Sequence, residues 1–307
     1  MAYRWKRKES VRKAVRRLGR ERIEHALACL ERCEEADAIH CARKDIKKVR
    51  AVVRLVRARI AKKEYHRLKM ILRKAAANLA APRDAFVKSQ AVRALAAHYK
   101  RQLAPGALRQ IRSELRADAT AEIKRFRKNK ATRIVARTLR RACRTLDDLK
   151  VDGRGWTALR PGLQSIYRKG RRACASVQTD PSPENFHAWR KCAKDLWYQV
   201  RVLQPMWPEQ MEATAVELGT LGDLLGDDHD LFVLQQDVAA RELRDERERE
   251  TLNGLVAQRQ RELRAAALGL GTRFYAEKSA AFCDRLSGYW RTWRRTGEER
   301  RLVRASS

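Results

Sequence analysis

Apolar residues along this chain recur every three or four positions, which is the period of one face of an α-helix. The clearest example surrounds residues 40–63, where the apolar positions are Ile39, Ala42, Ile46, Val49, Val53, Val56 and Ile60. No stretch of any length alternates apolar and polar residues in the way that a half-buried strand does. The pattern therefore predicts an all-α fold.

A row of cationic residues runs beside this apolar face, one position further along the chain. The row consists of His40, Arg43, Lys47, Arg50, Arg54 and Arg57. One residue corresponds to about 100° of rotation around a helix, so these side chains flank the buried face instead of pointing away from it. Like charges four residues apart destabilise a helix by roughly 0.2–0.5 kcal/mol per pair. The helix therefore needs an anion beside it, either acidic side chains from a neighbour or an external polyanion.

The same periodicity predicts helices along the rest of the chain. They cover residues 9–35, 64–80, 83–101, 105–148, 156–178, 184–204, 209–225, 230–268 and 273–295. Asp37 is placed to cap the helix of residues 40–63, and Pro82 marks a break or a new helix start. Residues 151–155 (VDGRG) are the predicted linker, which divides the chain into helical bundles over 1–150 and 151–307.

Two blocks of the first half recur in the second half in the same order. Residues 39–44 (IHCARK) match residues 186–191 (FHAWRK), and residues 83–87 (RDAFV) match residues 229–233 (HDLFV). The second copy again places cationic residues beside an apolar face, although Trp197 stands at the position equivalent to Arg50. A duplicated helical unit predicts two bundles related by a pseudo-twofold axis, with their cationic rows facing each other.

The net charge narrows the classes of partner. The 307 residues include 70 Lys and Arg against 37 Asp and Glu, a formal net charge of +33. Residues 1–150 hold 44 of these bases and 15 of the acids, whereas residues 151–307 hold 26 and 22. A field of this size concentrates polyanions at the surface, so nucleic acid, anionic lipid and inorganic polyphosphate are the candidate partners. No apolar run approaches the roughly 18 residues of a membrane span or forms a signal-peptide core, and we expect a soluble, cytoplasmic protein.

Metal-site and disulfide patterns are weak in the sequence. The seven cysteines include no Cys-x-x-Cys pair, which favours reduced thiols over disulfides or a zinc site. Asp37 and Glu184 each stand three residues before a histidine, as in di-iron carboxylate bundles, but the Arg and Lys that follow each histidine repel a divalent metal. No metal and no cofactor are therefore predicted.

The densest acidic cluster is Asp223, Asp227, Asp228 and Asp230, next to His229. We expect these acids to cap a helix start and to pair with basic residues of the adjoining helix. A metal-dependent hydrolase that uses them is the enzymatic alternative.

The motif His-x-x-Arg-Lys-x-x-Lys, early in a helix and present twice, resembles the CHAD family, the conserved histidine α-helical domains. FHAWRKCAKDLWYQVRVL is similar to the second signature of that family, and GDLLGDDHDLFVL resembles the following segment, where a Leu-Gly-x-x-x-Asp turn leads into the next helix. The resemblance covers about residues 10–290. It implies two four-helix bundles around a central basic channel. It also implies a non-enzymatic protein that binds inorganic polyphosphate and associates with polyphosphate granules.

The cationic rows and the resemblance together identify candidate binding residues. The predicted polyphosphate-binding residues are His40, Arg43, Lys44, Lys47, Arg50, Arg54, Arg57, His187, Arg190, Lys191, Lys194 and Arg201. Secondary basic candidates are Arg12, Arg16, Arg133, Arg137 and Arg140. No catalytic residue is predicted. Nucleic-acid binding is the alternative function, although aromatic residues make up only 7% of the chain and single-strand binding relies on exposed aromatic side chains.

Overall fold

The computed structural model of the protein describes residues 3–32 and 35–305, and this part of the chain is helical without strands. Its α-helices are α1 (Val11–Arg32), α2 (Glu35–Leu55), α3 (Lys62–Ala77), α4 (Ala80–His98), α5 (Arg109–Lys128), α6 (Ala131–Asp147), α7 (Gly155–Thr179), α8 (Pro183–Leu203), α9 (Pro208–Ala239), α10 (Glu246–Phe274) and α11 (Ser279–Ala305). Short 3₁₀ turns occupy Arg57–Arg59 and Gln204–Met206. The predicted all-α fold is confirmed.

The boundaries of α2 differ from those that the sequence predicted. This helix begins at Glu35, so Asp37 lies in its first turn and is not the N-cap that the sequence predicted. Asp37 can still interact favourably with the positive end of the helix dipole. The helix ends at Leu55 instead of residue 63, because the backbone leaves the helical conformation at Val56 and becomes extended at Ile60.

The second half contains a longer helix than the sequence predicted. Helix α9 runs unbroken through the predicted turn at residues 226–229, and the break lies instead at residues 240–245. The acids of residues 223–230 therefore lie in mid-helix, and the prediction that they cap a helix start is wrong. A Cβ on Gly222 would lie 2.8 Å from Cδ of Lys194. This glycine thus permits close packing between α8 and α9 and does not form a turn.

Of two further predictions, one is wrong and one is confirmed. The predicted helix of residues 105–148 is two helices, α5 and α6, separated by a turn in which Lys130 has a φ of 50°. Pro82 lies in the first turn of α4, where its missing N–H costs no helical hydrogen bond, and the predicted new helix start is confirmed.

Packing is centred on α2, which contacts α1, α3, α4, α7 and α8. The main hydrophobic core combines side chains from both sides of residues 151–155, and a smaller core joins α4 and α5 to α9 and α10. The close approach of α7 to α2 requires Gly162, since a Cβ there would lie 2.0 Å from the carbonyl oxygen of Leu55. The twofold relation and the division at residues 151–155 stay predictions.

The cysteines differ from the sequence-based expectation. Cys29 of α1 and Cys41 of α2 form a disulfide, with their Cα atoms 6.4 Å apart. The prediction of reduced thiols throughout is therefore wrong for this pair. The Cys-x-x-Cys motif concerns closely spaced cysteines, whereas these two lie on different helices and are brought together by the pairing of α1 with α2. Cys143, Cys174, Cys192 and Cys283 are free, and Cys33 lies outside the described residues. Within the described ranges, no helix is long and apolar enough to cross a membrane.

Candidate anion-binding groove

A groove of about 510 Å³ lies between α2 and α8, with further walls from α4 and α9. The predicted binding residues that line it are His40, Arg43, Lys44, Lys47, Arg50, Arg54, His187, Arg190, Lys191 and Lys194. Residues more than 140 positions apart in the sequence therefore share one concave surface. Both cationic rows face this surface, as the repeat predicted.

The helices are held in this orientation by their apolar faces. On α2, Ile46, Val49 and Val53 are buried, and on α8 Trp189 and Leu196 are fully buried. The buried Gln199 side chain donates a hydrogen bond to the carbonyl oxygen of Ala51 at 3.4 Å, which links the two helices directly. Because each cationic row lies beside a buried face, seating the two faces in the core turns both rows toward the groove.

Lys47 stands at the electrostatic centre of the groove. Removal of bulk water by the surrounding walls, together with repulsion from Arg190, Arg83, Arg43 and Lys194, lowers the pKa of its ammonium group from 10.5 to about 7. Its side chain still reaches solvent along the open side of the groove. Burial and neighbouring cations also lower the pKa values of Arg43 and Arg50. Among the described residues, neither Lys47 nor Arg50 forms an ion pair.

Acidic side chains partly neutralise the groove walls formed by α8 and α4. Lys194 pairs with Asp223 at 2.8 Å, and Arg83 lies 3.7 Å from Asp230. Asp195 of α8 forms a close ion pair with Arg54 of α2, across the contact between the two helices. These contacts confirm the expected pairing of the α9 acids with basic residues. Asp228 belongs to a different environment, since it is buried and pairs with Arg264 of α10 at 2.6 Å.

Two polar atoms in the groove wall are buried without a hydrogen-bond partner among the described residues. They are Nε of Arg190 and Nδ1 of His187. A buried polar atom without a partner costs roughly 1–3 kcal/mol. The Arg190 donor is therefore a ready hydrogen-bonding site for an anion that enters the groove.

His187 of the groove and its neighbour His229 are neutral at pH 7. The rings of His187 and His229 lie 4.1 Å apart between centroids. Burial, followed by neighbouring positive groups, lowers the pKa of each to about 4. Burial and repulsion from Lys44 and Lys47 also lower the pKa of His40. These side chains can offer hydrogen bonds to a ligand, but they add little positive charge at neutral pH.

Two predicted residues do not line the groove. Arg57 lies over the ring of Tyr65 at 4.2 Å, and Arg201 lies over the ring of Trp197 at 4.9 Å. Both guanidinium groups are occupied by aromatic faces, a contact that favours a fixed position over mobility.

The secondary candidates lie elsewhere. Arg12 and Arg16 line a separate depression of about 440 Å³ beside α1, and Arg16 donates to the carbonyl oxygen of Leu149 at 3.1 Å. Arg133, Arg137 and Arg140 are exposed on α6. Their participation in binding stays a prediction.

Sequence reasoning missed Arg83 as a groove residue and His229 as a ring contact of the groove residue His187. Arg83 lines the groove from α4, and His229 stacks on His187 from α9. The two residues occupy equivalent first positions in the second repeated block, RDAFV and HDLFV. The repeat itself was therefore the signal, because both repeated blocks contribute to the same surface.

Comparisons with known proteins agree with this architecture. Residues 17–239 match the CHAD domain family. The crystal structure of the CHAD domain from the plant Ricinus communis is similar with a TM-score of 0.61 and 17% identity, over 86% of this chain and 89% of that chain. PptA from Streptomyces chartreusis is similar with a TM-score of 0.59 and 14% identity, over 84% of this chain and 96% of that chain. None of the curated proteins compared with the chain matches it.

Proposed function

This chain belongs to the CHAD domain family, and from that membership and the chemistry of the groove we propose that it binds inorganic polyphosphate between α2 and α8. The observation that carries the proposal is the cluster of cations around Lys47. This cluster has a strongly lowered lysine pKa and lacks acid partners for Lys47 and Arg50 among the described residues. A polyanion in the groove would relieve the repulsion and restore the charge of Lys47.

The spacing of the cations suits a linear chain of phosphates. On α2 the row provides one basic residue for each helical turn of 5.4 Å, and on α8 Arg190 and Lys194 repeat the arrangement. Arginine can contact a phosphate through two N–H groups, while lysine supplies a mobile point charge. A ligand with charges along its whole length can therefore contact both walls at once.

The groove fits nucleic acid less well. Its aromatic residues are Trp197 and Tyr198, and the Trp197 ring is already contacted by Lys194 and Arg201 at 5.2 and 4.9 Å. Single-strand binding instead uses aromatic faces that are free to stack on bases. Duplex recognition commonly inserts a protruding helix into the major groove, whereas this cationic surface is concave. Binding is thus proposed to depend on phosphates alone, and contact with polyphosphate granules would follow from it.

The acids of the groove support binding over hydrolysis. Asp195, Asp223 and Asp230 each lie against a basic side chain, and these contacts leave the groove positive. We therefore propose a non-enzymatic role, in which the acids orient the cations. Phosphate release that requires a divalent metal and disappears in Asp227→Ala, at an acid that lines the groove, would instead support an enzyme.

A competition titration tests the proposal. Labelled long-chain polyphosphate is bound to the protein and displaced with unlabelled polyphosphate or duplex DNA at equal phosphate charge, at two salt concentrations. We expect polyphosphate to compete at least tenfold better than DNA, and the affinity to fall with salt through counterion release. Equal competition by DNA would contradict the proposal.

Matched variants locate the binding surface. Arg43→Ala combined with Arg190→Ala removes one groove cation from each wall, and we expect weaker polyphosphate binding. Lys63→Ala combined with Lys69→Ala removes the same charge from exposed positions of α3 that do not line the groove. If both double variants weaken binding equally, the groove is not the site.

A further inference from the structure

A second polar cluster lies between α1 and α2, on four side chains that the proposed function does not use. His25 and Cys29 stand four residues apart on α1, and Cys41 and Asp45 stand four residues apart on α2. Residues at this spacing share one helix face. The two pairs face each other across the α1–α2 contact, where they combine the nitrogen, sulfur and oxygen ligands that zinc prefers.

The nitrogen–sulfur distances in the cluster resemble those of a tetrahedral metal site. Nδ1 of His25 lies 3.5 Å from Sγ of Cys41 and 3.8 Å from Sγ of Cys29. With Zn–S near 2.3 Å and Zn–N near 2.0–2.1 Å, tetrahedral geometry places sulfur and nitrogen ligands about 3.6 Å apart. Oδ2 of Asp45 lies 3.9 Å from Sγ of Cys41 and 2.5 Å from Nδ1 of His25. The 2.5 Å contact is a hydrogen bond, and nitrogen and oxygen ligands of one tetrahedral zinc ion lie about 3.3 Å apart. The Asp45 carboxylate must therefore move away from His25 by about 0.8 Å to become the fourth ligand.

The surroundings of Asp45 favour a negatively charged ligand set. The carboxylate is buried, and its other oxygen, Oδ1, accepts a hydrogen bond from Lys48 at 2.8 Å and lies 3.7 Å from Arg22. Two thiolates and one carboxylate carry three negative charges, so the divalent ion leaves one to be balanced by these cations. Hydrogen bonds to a ligating carboxylate also fix its orientation. This cluster differs from the Asp-x-x-His and Glu-x-x-His patterns, because both helices contribute a sulfur ligand.

We propose that His25, Cys29, Cys41 and Asp45 form a zinc site when the Cys29–Cys41 disulfide is reduced. A dithiol reductant opens the bond by thiol–disulfide exchange: its two thiols become a disulfide, and Cys29 and Cys41 receive the two electrons and two protons. Zinc then replaces those two protons, and the sulfurs separate to about 3.8 Å, the distance set by two Zn–S bonds in a tetrahedron. The same two cysteines thus alternate between a disulfide and a metal site.

The test measures metal binding to the whole protein in its two redox states. The reduced chain is titrated with Co²⁺ under anaerobic conditions, followed by Zn²⁺, and metal content is measured after gel filtration. We expect one Co²⁺ per chain, with the visible absorption of a tetrahedral thiolate complex and displacement by Zn²⁺. The oxidised chain is expected to retain none. A reduced chain that binds no metal would overturn the proposal and leave a disulfide only.

Ligand variants decide whether this cluster holds the metal. His25 is about half exposed, so His25→Ala is expected to fold, and we expect it to lower the Zn²⁺ affinity at least tenfold. Cys41→Ser is expected to weaken the thiolate absorption of the Co²⁺ complex, since one of its two sulfur ligands is removed. His66→Ala and Cys143→Ser are the matched controls, since His66 is exposed on α3 and Cys143 is a free thiol on α6. All variants are made with Cys33→Ser as well, which removes the cysteine that lies outside the described residues. Affinities that are unchanged in both ligand variants would overturn the assignment.

Discussion

The two cationic rows of the groove come from the same repeated motif but lie in different electrostatic surroundings. The α2 row includes Lys47 and Arg50, which form no ion pair among the described residues. On the α8 row, Lys194 pairs with Asp223 of α9. The difference mirrors the whole sequence, because residues 1–150 carry most of the excess positive charge. Arg54 of the α2 row also pairs, with Asp195, so the difference between the rows lies in Lys47 and Arg50 on one wall and Lys194 on the other.

This difference assigns the two rows distinct contributions to binding. An anion that contacts Lys47 and Arg50 gains attraction without breaking an ion pair, whereas one that contacts Lys194 competes with Asp223. The ion pair with Asp223 in turn holds Lys194 in a defined position before a ligand arrives. We therefore expect the α2 row to supply most of the affinity and the α8 row to orient the ligand.

The largest expected effect comes from removing unpaired cations. Lys47→Ala combined with Arg50→Ala should weaken polyphosphate binding about 30-fold, since two charge-assisted contacts are worth roughly 2 kcal/mol together in a hydrated groove. Lys191→Ala combined with Lys194→Ala should weaken it only about fivefold, because Lys194 is already shared with Asp223. Isothermal titration at fixed salt measures both values.

Stability measurements distinguish lost contacts from lost structure. Removing Lys47 and Arg50 also removes repulsion within the groove, so the free double variant should melt at the same or a higher temperature than the wild type. Lys62→Ala combined with Lys69→Ala provides the control on the exposed surface of α3. A larger loss of affinity in the α8 double variant than in the α2 double variant would contradict the expectation that the α2 row supplies most of the affinity.

The pH dependence of binding tests the role of Lys47 alone. Its pKa is about 7 in the free groove, and a bound polyanion raises it, so binding takes up a proton when the pH exceeds 7. The affinity should therefore fall about tenfold as the pH rises from 6.5 to 9. Lys47→Arg should flatten this dependence, since arginine keeps its charge over the whole range.

The same shift predicts the opposite trend for stability of the free protein. The unfolded chain binds a proton at Lys47 up to pH 10.5, whereas the folded groove releases it near pH 7. Between these values the unfolded state holds more protons, so the free energy of unfolding contributed by Lys47 rises with pH. Denaturant titrations of the wild type and Lys47→Arg at pH 6.5 and 9 measure the difference. Parallel pH profiles for the two proteins would show that Lys47 does not cause the pH dependence of stability.

Periodicity was sufficient to predict the helical class and the buried faces of α2 and α8. It was insufficient for the boundaries that depend on tertiary contacts. Gly226 stands in the predicted turn, yet it lies inside α9, as does Gly222, which allows Lys194 to lie close to the helix. Local propensity cannot distinguish a glycine that forms a turn from one that admits a neighbouring side chain.

The groove could be predicted in part for the same reason. An offset of one residue from the buried face identified the cations that line it, because helix geometry relates neighbouring positions directly. It could not show that Arg57 and Arg201 turn toward Tyr65 and Trp197. The disulfide between Cys29 and Cys41 also depends on the pairing of two helices, which no spacing within either helix specifies.

The smallest expected effect tests whether Asp223 competes with the ligand for Lys194. Asp223→Asn removes the charge of the acid while keeping its size, and its side chain is 77% exposed, so the ion pair contributes little to folding. Freeing Lys194 should strengthen polyphosphate binding two- to threefold, which corresponds to roughly 0.5 kcal/mol. Glu217→Gln, at an exposed position of the same helix outside the groove, removes the same charge as a control. An equal gain in both variants would mean that net charge alone matters, whereas a gain confined to Asp223→Asn would establish competition at Lys194. Adding Lys194→Ala to Asp223→Asn should then abolish the gain, because the acid acts through that one ammonium group.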